Sequence, residues 1–96
     1  SAGIAVFAAL VSLLRQQPMR PDVALTGEIT LQGLVLPVGG LKEKVLAAKR
    51  AGVRTIICPA RNRKHIDELP REARTGMKFA YVNRAAEALR IALRPD

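Results

Sequence analysis

The hydrophobic residues at the start of the chain form one nearly unbroken run. Residues 2–14 are apolar with only two exceptions, and the segment from Arg15 to Pro18 stops the run. Ser1 is a residue type that favours the N-cap position of a helix. We therefore predict a helix over residues 1–14 that is apolar on all sides and buried in the centre of a domain.

From Asp22 onward the apolar residues fall at alternate positions, which is the period of a β-strand. A Gln32-Gly33 turn divides this stretch into two strands that we predict to pair as a hairpin. Gly39-Gly40 then precedes a predicted helix over residues 41–51, which Gly52 ends. The alternating residues are Val23, Leu25, Ile29, Leu31, Leu34, Leu36 and Val38.

The second half of the chain alternates strands with helices. We predict a strand over 55–58, which Pro59 closes, and a short helix around 64–69, which Asn62 caps. A strand over 77–82 and a helix over 84–93, with Asn83 before it as cap, complete the chain. Such alternation predicts right-handed crossovers and a partly parallel sheet, to which the hairpin adds an antiparallel element. The predicted fold is an α/β domain with a mixed sheet of α+β character.

Composition narrows the class of protein. A chain of 96 residues that is 49% apolar supports one domain with one core. The apolar run of 14 residues is shorter than the roughly 18 that a membrane span needs, so we expect no membrane segment. The single cysteine cannot form an internal disulfide, which favours a reducing cytoplasmic setting. Because the chain opens without methionine directly into an apolar run, we expect it to be part of a longer protein.

Lys44 is the first candidate for chemistry. On a helical wheel Leu41 and Val45 define the buried stripe, and Lys42 falls on the solvent side. Lys44 falls near 300° from Leu41, which places its stem beside the buried stripe. A lysine in apolar surroundings favours the neutral amine, which can act as a general base. Alternatively, its methylenes run along the edge of the core while the ammonium stays in water.

Ser1 is the second candidate, because free N–H groups at a helix start favour a developing negative charge. A serine nucleophile needs a base, and lysine can replace histidine in that role. Alternatively, Ser1 is an ordinary N-cap. We expect His65 to belong to a solvated basic face and Cys58 to be a small buried apolar residue. These two residues alone cannot form a structural zinc site, so we predict no metal.

Several motifs resemble, in the same order, the C-terminal half of the proteolytic domain of the Lon protease family. The resemblance covers essentially the whole chain, residues 1–96, as part of one such domain. Its most specific portion is the Thr-Gly-Glu segment followed by Pro, paired glycines and Leu-Lys-Glu-Lys. The matching segments are Ser1-Ala2-Gly3-Ile4, Thr26-Gly27-Glu28-Ile29-Thr30-Leu31, Gly33, Val35 to Lys44 and Ala47-Ala48.

The resemblance implies an ATP-dependent serine endopeptidase that hydrolyses unfolded or damaged proteins. In the family a serine and a lysine form the catalytic dyad, and the matching residues here are Ser1 and Lys44, 43 positions apart. Thr26 matches a threonine that lies near the lysine ammonium. The family also implies a homo-oligomer, commonly a hexamer, and a separate ATPase module that uses ATP and Mg²⁺. No phosphate-binding Gly-rich loop occurs in this chain, so we expect no cofactor here.

A non-catalytic Lon-like module for oligomerisation or nucleic-acid binding is the alternative. A formal net charge of +8 is compatible with a nucleic-acid partner. The charge is spread along both halves of the chain, however, and the aromatic residues Phe7, Phe79 and Tyr81 all fall in predicted buried elements, which makes a poor stacking platform. The presence of both Ser1 and Lys44 favours the protease. We expect no nucleic-acid binding through residues 1–96.

Overall fold

The computed structural model describes residues 3–94 and contains five helices and five strands within that range. In the same range a single 3₁₀ turn, Ala60–Asn62, joins the strand Thr55–Pro59 to the helix Arg63–Asp67. In chain order the elements are α1 (Gly3–Arg15), β1 (Val23–Leu25), β2 (Glu28–Ile29), β3 (Val35–Leu36), α2 (Leu41–Arg50), β4 (Thr55–Pro59), α3 (Arg63–Asp67), α4 (Arg71–Arg74), β5 (Lys78–Val82) and α5 (Ala85–Ala92).

The centre of the fold is a parallel sheet in the order β1-β4-β5. Successive residues of β4 point to opposite faces, as the pleat requires. Ile57 packs with α1 and α5 on one face, whereas Ile56 and Cys58 pack with α2, α3 and α4 on the other. A sheet buried on both faces explains why β4 is a continuous apolar run rather than an alternating one. The predicted mixed α/β class with a parallel sheet and an antiparallel hairpin is confirmed.

The first predicted strand is divided in the structure. Val23–Leu25 pairs with β4, whereas Glu28–Ile29 pairs with β3 in a separate two-stranded antiparallel sheet. The break falls at Thr26-Gly27, where Gly27 has a φ of +141°. An added Cβ there would lie 2.8 Å from Cγ1 of Val35, so the junction requires glycine both for its backbone angle and for its close packing.

The prediction that α1 is buried on all sides is wrong for the described residues. Ile4 and Ala8 are fully buried, but a stripe on the opposite side of the helix is 54–82% exposed. Among residues 3–94 the main contacts of α1 are with β1, β2 and α5, and these elements cover its buried side. The exposed stripe consists of Val6, Leu10, Leu13 and Leu14.

Neither predicted asparagine caps its helix through its side chain, although Asn62 does occupy the N-cap position of α3. The side chain of Asn62 bonds to Val38, 24 residues away, rather than to the start of α3. At the start of α5 the backbone N–H groups of Asn83 and Arg84 both donate to Oε1 of Glu87, at 3.0 and 2.9 Å, so a carboxylate inside the helix satisfies them.

The helix predicted around residues 64–69 is shorter in the structure. It ends at Asp67, and a further short helix, α4, follows Pro70 and was not predicted. A proline removes an N–H donor and restricts the residue before it, which interrupts a helix. No helix within residues 3–94 is long and apolar enough to cross a membrane.

Candidate active site

The first turn of α1 is held against the junction that follows β1. The backbone N–H of Ile4 donates to the carbonyl oxygen of Gly27 at 3.0 Å. Gly3 approaches the same segment so closely that an added Cβ would lie 3.3 Å from the backbone nitrogen of Ile29. This contact fixes where α1 begins. Ser1, the predicted nucleophile, lies outside the described residues.

Thr26 occupies the end of β1 at this junction. Its backbone N–H donates to the carbonyl oxygen of Ile57 at 2.9 Å, which extends the pairing with β4 by one residue. The residue is 7% exposed, and its Oγ1 has no hydrogen-bond partner within residues 3–94. Buried hydroxyl groups normally have a partner. The hydroxyl therefore has its full capacity to donate to or accept from a group at this site.

Lys44 lies one turn into α2 and is half-buried. Leu41 and Val45 of the same helix are buried in the apolar cluster that α2, α3 and α4 form with one face of the sheet, whereas Lys42 is exposed. The wheel prediction, which put Lys44 at the edge of the buried stripe and Lys42 in solvent, is confirmed. The backbone N–H of Lys44 donates to the carbonyl oxygen of Gly40 at 3.2 Å, which closes the first turn of the helix.

A cavity of about 310 Å³ brings the candidate residues together. Lys44 from α2, Thr26 from the end of β1 and Ala5 from the first turns of α1 all line it. The other lining residues are apolar: Ala24, Leu25, Leu41, Val45, Ala47, Ala48 and Ile56. An amine and a hydroxyl therefore share a mostly apolar cavity beside the start of a helix, an arrangement suited to proton transfer and to stabilising negative charge.

The remaining chemistry-bearing residues lie elsewhere. Cys58 is fully buried in β4, and burial raises the pKa of its thiol to about 12, so it is not a thiolate near neutral pH. The expectation that Cys58 is a small buried apolar residue is confirmed. His65 is exposed, and its Nδ1 lies 2.9 Å from Nδ2 of Asn62. Within the described part of the chain no cluster of three His, Cys, Asp or Glu side chains could hold a metal ion.

The aromatic side chains pack against the core. Phe7 lies against the apolar cluster on the α1 and α5 side of the sheet, and Phe79 and Tyr81 lie against the cluster on the opposite side. The guanidinium of Arg63 stacks over the Tyr81 ring at 4.3 Å from its centroid. These rings are engaged in packing within the domain, as the sequence predicted.

The sheet and the helices on both of its faces define an α/β domain with a mostly apolar cavity beside β1. Residues 1–95 match the family model of the Lon protease (S16) C-terminal proteolytic domain. The chain therefore belongs to the Lon protease family.

Named relatives agree with this assignment. The chain is 58% identical over 93 residues to a Lon protease from Syntrophus aciditrophicus, an alignment that covers 97% of the chain. It is 53% identical over 96 residues to Lon protease 1 of Herpetosiphon aurantiacus and 50% identical over 96 residues to a Lon protease of Fervidobacterium nodosum, each covering 100% of the chain. The chain spans 12% of the length of each of these three relatives.

Proposed function

We propose that this chain is the part of an ATP-dependent Lon-type serine endopeptidase that carries both members of a Ser-Lys dyad. Ser1 is the nucleophile, Lys44 is the general base and Thr26 orients the lysine amine. The observation that carries this proposal is the shared cavity, in which Lys44 and the buried hydroxyl of Thr26 lie beside the first turns of the helix that follows Ser1.

The reaction begins when Oγ of Ser1 bonds to the carbonyl carbon of a substrate peptide and its proton passes to Nζ of Lys44. Negative charge develops on the carbonyl oxygen, and the positive end of the α1 helix dipole stabilises it. The C–N bond then breaks as Nζ returns the proton to the leaving amine. Water attacks the resulting ester, releases the carboxylic acid and restores the serine.

The lining of the cavity suits these roles. Leu41 and Val45 line the same cavity as Lys44, and their apolar side chains offer no hydrogen-bond partner to its amine. Thr26 lies in the same cavity with an Oγ1 that has no other partner within residues 3–94. A hydroxyl oxygen can accept a hydrogen bond from an amine, so under this proposal Thr26 is the group available to orient Nζ toward the substrate.

ATP and Mg²⁺ belong to a separate module under this proposal. Residues 1–96 contain no Gly-rich loop ending in Gly-Lys-Ser or Gly-Lys-Thr, and the apolar lining beside Lys44 does not suit a triphosphate. The full-length protein is a homo-oligomer, a hexamer as in the family, that degrades unfolded or damaged cytoplasmic proteins. The single buried cysteine is consistent with a reducing compartment.

The test compares three lysine variants in the full-length protein. We expect Lys44→Ala to lower peptide hydrolysis by at least about 100-fold, the usual contribution of a general base. Lys44→Arg fails equally because a guanidinium remains protonated and cannot accept the serine proton. Lys42→Ala, on the exposed side of the same helix, is the matched control and keeps most activity.

ATP hydrolysis by each variant serves as the check that the protein remains folded and assembled. Near-parental peptide hydrolysis by Lys44→Arg would exclude a lysine general base. Ser1 would then require another activator.

A further inference from the structure

The buried side chain of Asn62 binds both polar backbone groups of one residue, Val38, and we call this pair of hydrogen bonds the clamp. Asn62 is 0% exposed. Its Oδ1 accepts a hydrogen bond from the N–H of Val38 at 3.0 Å, and its Nδ2 donates to the carbonyl oxygen of Val38 at 3.1 Å. Nδ2 also lies 2.9 Å from Nδ1 of His65. One amide side chain therefore satisfies both polar backbone groups of a residue 24 positions away.

The clamped residue lies directly before the helix that carries Lys44. Val38 is followed by Gly39 and Gly40, and α2 begins at Leu41. A Cβ added to either glycine would meet no atom within 4 Å, so the space beside each glycine is open. Two unpacked glycines form a flexible joint, because glycine restricts the backbone least.

The joint makes the start of α2 depend on the clamp. Leu41 and Val45 fix which face of the helix is buried, but apolar contacts are not directional and tolerate small shifts along the helix axis. At the far end, Nζ of Lys49 donates to the carbonyl oxygen of Glu72, which ties the last turns of α2 to α4. At the near end, the hydrogen bonds directly before the joint are those between the Asn62 side chain and the backbone of Val38.

We propose that Asn62 is a positioning residue for the lysine base. This inference rests on the proposed function of Lys44. Asn62 lies outside the cavity lining and acts through Val38, by holding the start of α2 so that Lys44 remains aligned with Thr26 and the helix start. A base displaced by about 1 Å can lose about 100-fold in rate, so even partial release of this end should lower turnover.

The test measures peptide hydrolysis by Asn62→Ala and Asn62→Leu in the full-length protein. Leu keeps most of the side-chain volume, so it supplies a folded variant if Ala does not fold. We expect kcat to fall at least about ten-fold with KM within about two-fold, because the clamp aligns the base and does not bind substrate. Amide hydrogen exchange at Val38 should become faster in both variants, since its N–H loses its acceptor.

Ile66→Ala is the matched control for lost stability. Ile66 is 1% exposed, lies in α3 one turn after Asn62 and packs in the same apolar cluster as Leu41. Truncation should destabilise the domain while leaving the bonds to Val38 intact, and we expect kcat to stay within about three-fold of the parent. An equal loss of kcat in Ile66→Ala would overturn the inference, because destabilisation alone would then explain the effect.

The inference and the proposed function fail in different ways. In one case, Lys44→Ala is inactive, and both Asn62 variants keep the parental kcat although amide hydrogen exchange at Val38 becomes faster. Only the positioning role is then refuted. If Lys44→Ala hydrolyses peptides at the parental rate, the proposed base is refuted, and with it the role assigned to Asn62.

Discussion

Gly27 is the position where the structure predicts the largest effect of a single methyl group. Its φ of +141° is strained for any residue with a side chain, at a cost of about 1–3 kcal/mol. The added Cβ of Gly27→Ala would also lie 2.8 Å from Cγ1 of Val35 and 3.2 Å from Cγ of Pro59. Crowding of this kind costs about 1–3 kcal/mol more. We therefore expect Gly27→Ala to lower the free energy of unfolding by about 2–6 kcal/mol.

Gly33→Ala separates the two contributions. Gly33 also has a positive φ, +84°, but an added Cβ there would meet nothing within 4 Å. Its substitution therefore carries the backbone cost without the crowding, and we expect a loss of about 1–2 kcal/mol. Urea denaturation of the 96-residue chain, followed by far-UV circular dichroism, gives both free energies. If Gly27→Ala loses no more stability than Gly33→Ala, the close packing inferred at the junction is wrong.

Two further predictions concern thiol reactivity and acid stability. Because burial raises the pKa of Cys58 to about 12, iodoacetamide at pH 8 should label this thiol only after the chain is unfolded in urea. Rapid labelling of the folded chain would contradict the placement of Cys58 in β4. The Arg20 hydrogen bond lowers the pKa of Asp22 below 3.8, and backbone N–H groups of Asn83 and Arg84 lower the pKa of Glu87 below 4.5. Both carboxylates contribute stability above those values, and this stability is lost as pH falls through the lowered pKa. We therefore expect Glu87→Gln to flatten the pH dependence of the free energy of urea unfolding below about pH 4.5. An unchanged pH dependence would exclude the cap at α5.

Short-range periodicity was sufficient to locate the lysine of the candidate site. The helix that carries Lys44 is regular, and one turn of it contains two anchors, Leu41 and Val45, that enter the core. The direction of Lys44 follows from helix geometry alone. The same holds for the parallel pairing of β4 with β5, because helical segments separate these two strands along the chain.

Long-range contacts account for what the sequence pattern missed. Alternation predicted one strand through Thr26 and Gly27, since nothing local reveals that Val35 will pack against the glycine from another strand. Asn62 reads as a helix cap because Asn is a common cap residue, yet its partner is Val38. A side chain that bonds across 24 residues leaves no periodic signal, so only the assembled fold reveals the clamp.

The candidate site is supported from two sides that can be perturbed separately. On the sheet side, Thr26 follows β1, and the carbonyl oxygen of the next residue, Gly27, accepts a hydrogen bond from the N–H of Ile4. The Thr26 hydroxyl and the start of α1 are therefore expected to move together. On the helix side, Asn62 holds the approach to Lys44 through Val38. A defect at Gly27 should therefore lower stability and displace the start of α1, whereas a defect at Asn62 should displace the lysine alone. Because each defect misaligns the same pair of reacting groups, combining them should reduce turnover by less than the product of their separate effects.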